Sequence, residues 1–129
     1  MLPVTALYAG LLAFGFLYLS VRTIQQRTRY HLALGTGHRL VERAARAHGN
    51  FAEYVPLALV LVGLCESNGL PAWALHVLGV TLLVARACHA YGISQEPEVL
   101  RWRMVGTSLT FTMLAVAAAA ALGLAFAGL

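Results

Sequence analysis

The 129-residue chain contains no lysine and no aspartate, and charged residues make up only 11% of it. Hydrophobic residues make up 60%, above the roughly 45–50% apolar content of soluble domains, so that class is excluded. The few charges form no independent basic module of the kind that binds nucleic acid. We therefore expect an integral membrane protein without a nucleic-acid partner.

Cysteine is also scarce, with only Cys65 and Cys88 present. Two cysteines inside apolar segments support neither a disulfide framework nor a CxxC site, and we interpret both as buried, inert thiols. The histidines fit no recognised ligand spacing, so we predict no metal or haem site. They are His31, His38, His48, His76 and His89.

Apolar residues concentrate in four segments, which are Pro3–Val21, Val55–Cys65, Pro71–Tyr91 and Met104–Leu129. Three of them reach the ~20 residues that a helix needs to cross a bilayer. The second reaches that length only if the helix also includes the polar stretch before it. Counting back about 20 residues from Cys65 places the start of the span at Arg46. We predict that span two runs from near residue 39 to near residue 67. The first segment has no basic region before it and no convincing cleavage site, so we expect a retained span.

All nine basic residues are arginines. Six follow span one and three flank the connection between spans three and four, whereas "ESNGLP" between spans two and three has none. By the positive-inside rule, both termini lie on the non-cytoplasmic side. The expected fold is an all-α membrane protein with four transmembrane helices in an antiparallel bundle, forming a single domain over residues 1–129.

Span two carries polar side chains on one face. At about 100° per residue, five of them share an arc of roughly 100°, and His48 points to the opposite side. The five are Arg43, Arg46, Asn50, Glu53 and Tyr54. Charges at membrane depth are costly, which favours a ligand site. The alternative is that Arg46 and Glu53 neutralise each other and only join helices.

Spans three and four carry matching groups at the same level of the membrane. Arg86 and His89 are three residues apart and share one face of span three. Arg103 forms a stripe with Thr107 and Thr110 on span four. For Arg86 a topological or snorkelling role is as plausible as a functional one. For Arg103, which lies further into span four than Arg101, we favour function.

The residue types indicate the ligand. Arginines bind carboxylates or phosphates, and a glutamate binds an ammonium group or an amide. A small zwitterion with several carboxylates and one amine satisfies both, and glutathione is such a molecule. An arginine beside its thiol would lower the thiol pKa and favour the nucleophilic thiolate.

At these residues the sequence resembles the MAPEG family, the membrane-associated proteins of eicosanoid and glutathione metabolism, and its bacterial branch most of all. The carrying motif is "RAHGNFAEYVP", which matches the family pattern Arg-x-x-x-Asn-x-x-Glu-Tyr-x-Pro at Arg46, Asn50, Glu53, Tyr54 and Pro56. A second match is "RMVGT", at Arg103, Gly106 and Thr107.

The resemblance implies a homotrimer of four-helix subunits, with glutathione bound between neighbouring subunits near the cytoplasmic face. It implies that Arg103 stabilises the thiolate and that His48 contacts the ligand of the adjacent subunit. Arg27 or Arg29 corresponds to a glutathione-binding arginine at the end of span one. His89 and Ile93 stand where eukaryotic members have two tyrosines. The full predicted binding set is Arg46, His48, Asn50, Glu53, Tyr54, His89, Arg86 and Arg27.

Three functions remain in competition. The leading hypothesis is a glutathione transferase or peroxidase in the bacterial inner membrane, acting on lipophilic electrophiles that arrive from the bilayer. The second is a non-catalytic membrane binding or scaffolding protein that retains the polar site as structure. The third, a small multidrug transporter, depends on a carboxylate in span one, and the segment from Val4 to Val21 contains none.

Overall fold

A computed structural model describes all 129 residues and contains four α-helices and no strand. The helices are α1 (Pro3–Arg29), α2 (Arg39–Ser67), α3 (Ala72–Ser94) and α4 (Leu100–Gly128). Each is long and apolar enough to cross a membrane. The prediction of four spans is confirmed, and α2 covers the range predicted for the second span.

Local chemistry at both ends of α2 explains why the polar stretch is helical. His38 caps the helix, because its side chain accepts a hydrogen bond from the backbone N–H of Leu40 at 3.2 Å. The other end closes through Gly69, whose φ of +85° suits a glycine. The N–H of Leu70 then returns to the carbonyl of Cys65 at 2.9 Å. Between these ends the helix continues through Pro56.

The helices form an antiparallel bundle in which α2 contacts the three others and α1 does not touch α4. The most extensive contact joins α3 and α4. It depends on two glycines that let the backbones approach: Gly92 lies against the backbone of Arg103, and Gly106 lies against the backbone of Ala85 and His89. This contact brings the end of α3 and the start of α4 together beside the start of α2.

The opposite end of the bundle is fastened by polar contacts between helices. Both carboxylate oxygens of Glu66, on the last turn of α2, accept backbone N–H groups of α1, from Val4 at 2.9 Å and Thr5 at 2.7 Å. A helix start has four N–H groups without an intrahelical acceptor, so Glu66 satisfies two of them. Nearby, the Tyr8 hydroxyl lies 3.0 Å from Nδ1 of His76 on α3.

Burial follows the requirements of a membrane protein. Fourteen buried residues form the apolar core between the helices, while many large apolar side chains on the outer faces are exposed. Both cysteines are free; Cys65 is buried but Cys88 is partly exposed. Our interpretation of two buried thiols is therefore correct only for Cys65.

We expect Gly106→Ala to destabilise the bundle by about 1–3 kcal/mol, the usual cost of overpacking. An added Cβ would lie 2.5 Å from both the Ala85 carbonyl oxygen and the His89 nitrogen. Gly123→Ala is the matched control on the same helix, because a Cβ there has no neighbour within 4 Å. Thermal unfolding in detergent measures both, and equal midpoints would refute the close-contact role of Gly106.

Candidate functional site

The polar arc of α2 divides into two halves in the structure. Arg43, Asn50 and Tyr54 reach α3, α4 or the connection between them. Arg46 and Glu53 are exposed on the protomer, and neither takes part in a salt bridge. The alternative in which these two charges neutralise each other within one chain is therefore not the arrangement found.

Arg86 is the charged residue at the centre of the bundle, with 3% of its surface exposed. Its guanidinium donates to Oδ1 of Asn50 at 2.7 Å and to the Thr110 hydroxyl at 2.6 Å. It also lies 5.7 Å from the centre of the Tyr54 ring. No carboxylate lies within salt-bridge distance, and its Nε has no acceptor. Arg86 therefore holds α2, α3 and α4 together instead of snorkelling to the surface.

Arg103 is held by a carboxylate from the connection before α4. Its Nη1 donates to Oε1 of Glu98 at 2.7 Å. The other oxygen of Glu98 lies 3.6 Å from Nη1 of Arg43, which also donates to the Ile93 carbonyl at 3.1 Å. The hydrogen bond from Arg103, reinforced by the charges of both arginines, holds the pKa of the Glu98 carboxyl below its usual range.

These groups line an open cleft of about 290 Å³, which we call the polar cleft. Its lining residues are Arg39, Glu42, Arg43, Arg46, Ile93, Glu98 and Arg103. Four arginines face two glutamates, so the cleft carries an excess of positive charge. That excess favours an anionic ligand, and guanidinium groups favour carboxylates in particular.

Of the predicted site residues, only Arg46 and Arg103 line the polar cleft, and the others lie outside it. His89 is buried against α4, on the same side of α3 as Arg86, as predicted. His48 points to α1, where its ring lies 4.6 Å from that of Phe16, which matches the predicted opposite face. Arg27 does not line the cleft of its own protomer; it donates to the Gly35 carbonyl at 3.0 Å.

Sequence reasoning missed Glu98 as a site residue, and it placed Arg43 on the polar face without assigning it a role. Glu98 lies in the non-helical connection, where helical periodicity gives no information about direction. The feature of the sequence that could have identified Glu98 is its position five residues before Arg103, immediately before α4. A carboxylate this close in sequence to an arginine at the start of a membrane helix is a natural counter-ion.

Comparison with known proteins finds a matching family model and two relatives. A family model described as the MAPEG family matches residues 5–123. The chain belongs to the MAPEG family. Two relatives are the proteins named "Inner membrane protein YecN" from Escherichia coli strain K12 and from E. coli O6:H1. Each is 38% identical over 112 residues, which is 86% of this chain and 84% of the relative.

Membership of the MAPEG family fits the four apolar helices, and the chain is an all-α integral membrane protein. The residues matched by the family model include Arg46, Asn50, Glu53 and Arg103. The roles assigned above to these residues in binding and chemistry stay predictions.

Acidification should loosen the start of α4 by protonating Glu98. Because its pKa is lower in the folded state, the contribution of Glu98 to stability is complete above the ordinary glutamate pKa of about 4.3. It is lost as the pH falls through the lower folded value. Fluorescence of Trp102 in a Trp73→Phe background should report this transition.

Glu98→Gln should remove that transition, because glutamine cannot titrate. Glu96→Gln is the control, since Glu96 is an exposed neighbour that pairs with Arg39 at 3.2 Å and not with Arg103. If Glu98→Gln and the parent show the same acid transition, Glu98 is not its origin.

Proposed function

We propose that this MAPEG protein is a glutathione S-transferase or glutathione-dependent peroxidase that acts on lipophilic electrophiles. One observation carries the proposal: Arg46 and Glu53 present opposite charges, exposed and without a salt-bridge partner in the protomer, on one face of a membrane helix. Unpaired charges at membrane depth are expensive, which supports a zwitterionic ligand as their partner.

The spacing of these charges suits a tripeptide. Glu53 comes seven positions after Arg46, a rise of about 10 Å along the helix. Three residues in extended conformation span about 10 Å. In this arrangement Arg46 binds a glutathione carboxylate and Glu53 binds its ammonium group.

Asn50 lies between the two charges and is oriented by the buried arginine. Because its Oδ1 accepts from Arg86 at 2.7 Å, its amide nitrogen is left with two N–H donors. Those donors suit a backbone carbonyl of the bound tripeptide. We therefore assign Arg86 to positioning Asn50, with contact to glutathione made by Asn50.

Arg103 is the residue we assign to the chemistry. Its positive charge stabilises the thiolate over the thiol, whose proton passes to water. The thiolate sulfur attacks the electrophilic carbon, forms a C–S bond and displaces the leaving group with its bonding electrons. With a lipid hydroperoxide the thiolate sulfur attacks the terminal oxygen and the O–O bond breaks, giving a sulfenic acid and an alkoxide that takes a proton from water to become an alcohol. A second glutathione then yields disulfide and water.

The second substrate and the assembly form part of the proposal. An apolar groove of about 250 Å³ between α1 and α2, lined by residues such as Phe16 and Pro56, suits a lipophilic electrophile that arrives through the bilayer. We propose a homotrimer that brings His48 and Arg27 of one subunit to the ligand of the next. The name of the YecN relatives supports a place in the inner membrane.

A non-catalytic binding or scaffolding protein is the second candidate. It is favoured by the ion pair between Arg103 and Glu98 at 2.7 Å, which already neutralises the proposed catalytic charge. Under that reading the polar cleft binds its ligand without activating a thiol.

Replacing Arg46 or Glu53 with alanine should weaken glutathione binding by about 1–3 kcal/mol, the range for a lost charged hydrogen bond. Equilibrium binding to detergent-purified protein measures the change. Arg101→Ala and Glu96→Ala are matched controls, since both are exposed charged residues outside the polar arc of α2. Parent-like affinity in both site variants would show that these charges serve assembly alone.

Arg103→Ala should raise the pKa of the glutathione thiol in the complex towards its free value, while affinity changes less. A titration of the ultraviolet thiolate signal measures that pKa, and the rate with a halonitrobenzene should fall in parallel. Arg103→Lys should rescue only in part, because a point charge on a different stem replaces the planar fork. Identical titration curves for the parent, Arg103→Ala and Arg101→Ala would favour the non-catalytic candidate.

A further inference from the structure

A second groove lies on the side of the bundle where α1 packs against α3, away from the polar cleft. Its wider part, about 350 Å³, lies between the second half of α1 and the end of α3. The residues that line it are Tyr18, Leu19, Arg22, Ala87, Ala90, Tyr91, Ser94 and Gln95. A narrower and mostly apolar part of about 160 Å³ continues from it deeper between the helices, where Arg86 also contributes to its lining. The two parts share Leu19, Ala87 and Ala90. We call the whole the α1–α3 groove.

The wide part lies at the boundary between hydrocarbon and headgroups. From the first residue of α1 to Arg22 the helix rises about 28 Å, and from the first residue of α3 to Tyr91 it also rises about 28 Å. The hydrocarbon core of a bilayer is ~30 Å thick. Tyr18 and Tyr91, which are 67% and 55% exposed, flank the groove at the level where tyrosines collect in membrane proteins.

Arg22 supplies a positive charge without a protein counter-ion. It donates to the hydroxyl oxygen of Ser94 and, at 3.4 Å, to the carbonyl oxygen of the same residue. It takes part in no salt bridge. A guanidinium has five N–H donors, so three of them have no acceptor in the protomer. Because Ser94 accepts from Arg22, its own O–H stays available as a further donor.

We propose that the α1–α3 groove binds one anionic phospholipid, with the phosphate held by Arg22 and Ser94 and one acyl chain in the apolar part. The occupant follows from the combination of features. A free cation at the headgroup level attracts anionic lipid, and basic pockets between membrane helices bind acidic headgroups. The apolar extension suits a chain that a soluble phosphate does not have.

Native mass spectrometry of the detergent-purified protein tests the proposal, with phosphatidylglycerol and phosphatidylcholine of the same chain composition titrated in separate arms. We expect one phosphatidylglycerol per subunit, bound about fivefold more tightly than phosphatidylcholine, the effect of one arginine near an anionic surface. Arg22→Gln should remove this preference, and Arg22→Lys should keep most of it. Ala87→Phe, which fills the junction between the two parts, should weaken both lipids.

Arg101→Gln is the matched control, because Arg101 is an exposed arginine at the same end of the bundle and does not line the groove. Circular dichroism and the melting midpoint verify that each variant is folded. Equal losses of phosphatidylglycerol in Arg22→Gln and Arg101→Gln would overturn the proposal in favour of general surface attraction. Displacement of the lipid by glycerophosphate would identify a phosphate site, and a smaller oligomer in Ala87→Phe would show that another copy covers the groove. Either result would also overturn it.

Discussion

A buried guanidinium without a carboxylate partner is the constraint on which the rest of this structure depends. Arg86 is enclosed between α2, α3 and α4, and its charge is balanced only by oxygens of Asn50, Thr110 and the Gly106 carbonyl. Removing a charge from water costs several kcal/mol unless hydrogen bonds compensate. The three helices therefore keep a single relative position, because any slide would leave the cation with fewer acceptors.

The same constraint joins fold and site. Gly106 permits the close approach of α3 and α4 that brings its carbonyl, 3.4 Å away, to Arg86. That approach also brings the start of α4 to the start of α2, where Arg103, Glu98 and Arg43 meet. A cleft with several like charges is stable here because rigid helices impose it and one carboxylate is shared between two arginines.

Much of this arrangement could be predicted from the sequence, because hydrophobic length and helical period are strong signals in a membrane protein. The missing length of the second apolar segment indicated the full extent of α2, and the 100° step sorted Asn50 from His48 correctly. The partners of the polar residues could not be predicted in the same way. Glu98 lies outside any helix, and whether Arg86 is buried or snorkels depends on which helix packs beside it. The distance of Arg27 from the cleft depends on how α1 sits in the bundle, which composition does not encode.

The contact between the Glu66 carboxylate of α2 and the start of α1 has a consequence for the order of membrane insertion. It closes the polar end of the first helix with a group from the second, so the hairpin of α1 and α2 satisfies that end without help from the rest of the chain. The guanidinium on α3 is in the opposite position, because its acceptors lie on α2 and α4. The hairpin of α1 and α2 can thus be stable in the bilayer before the rest of the chain is inserted. In contrast, the charge on α3 has all its acceptors only when α2 is already present and α4 follows.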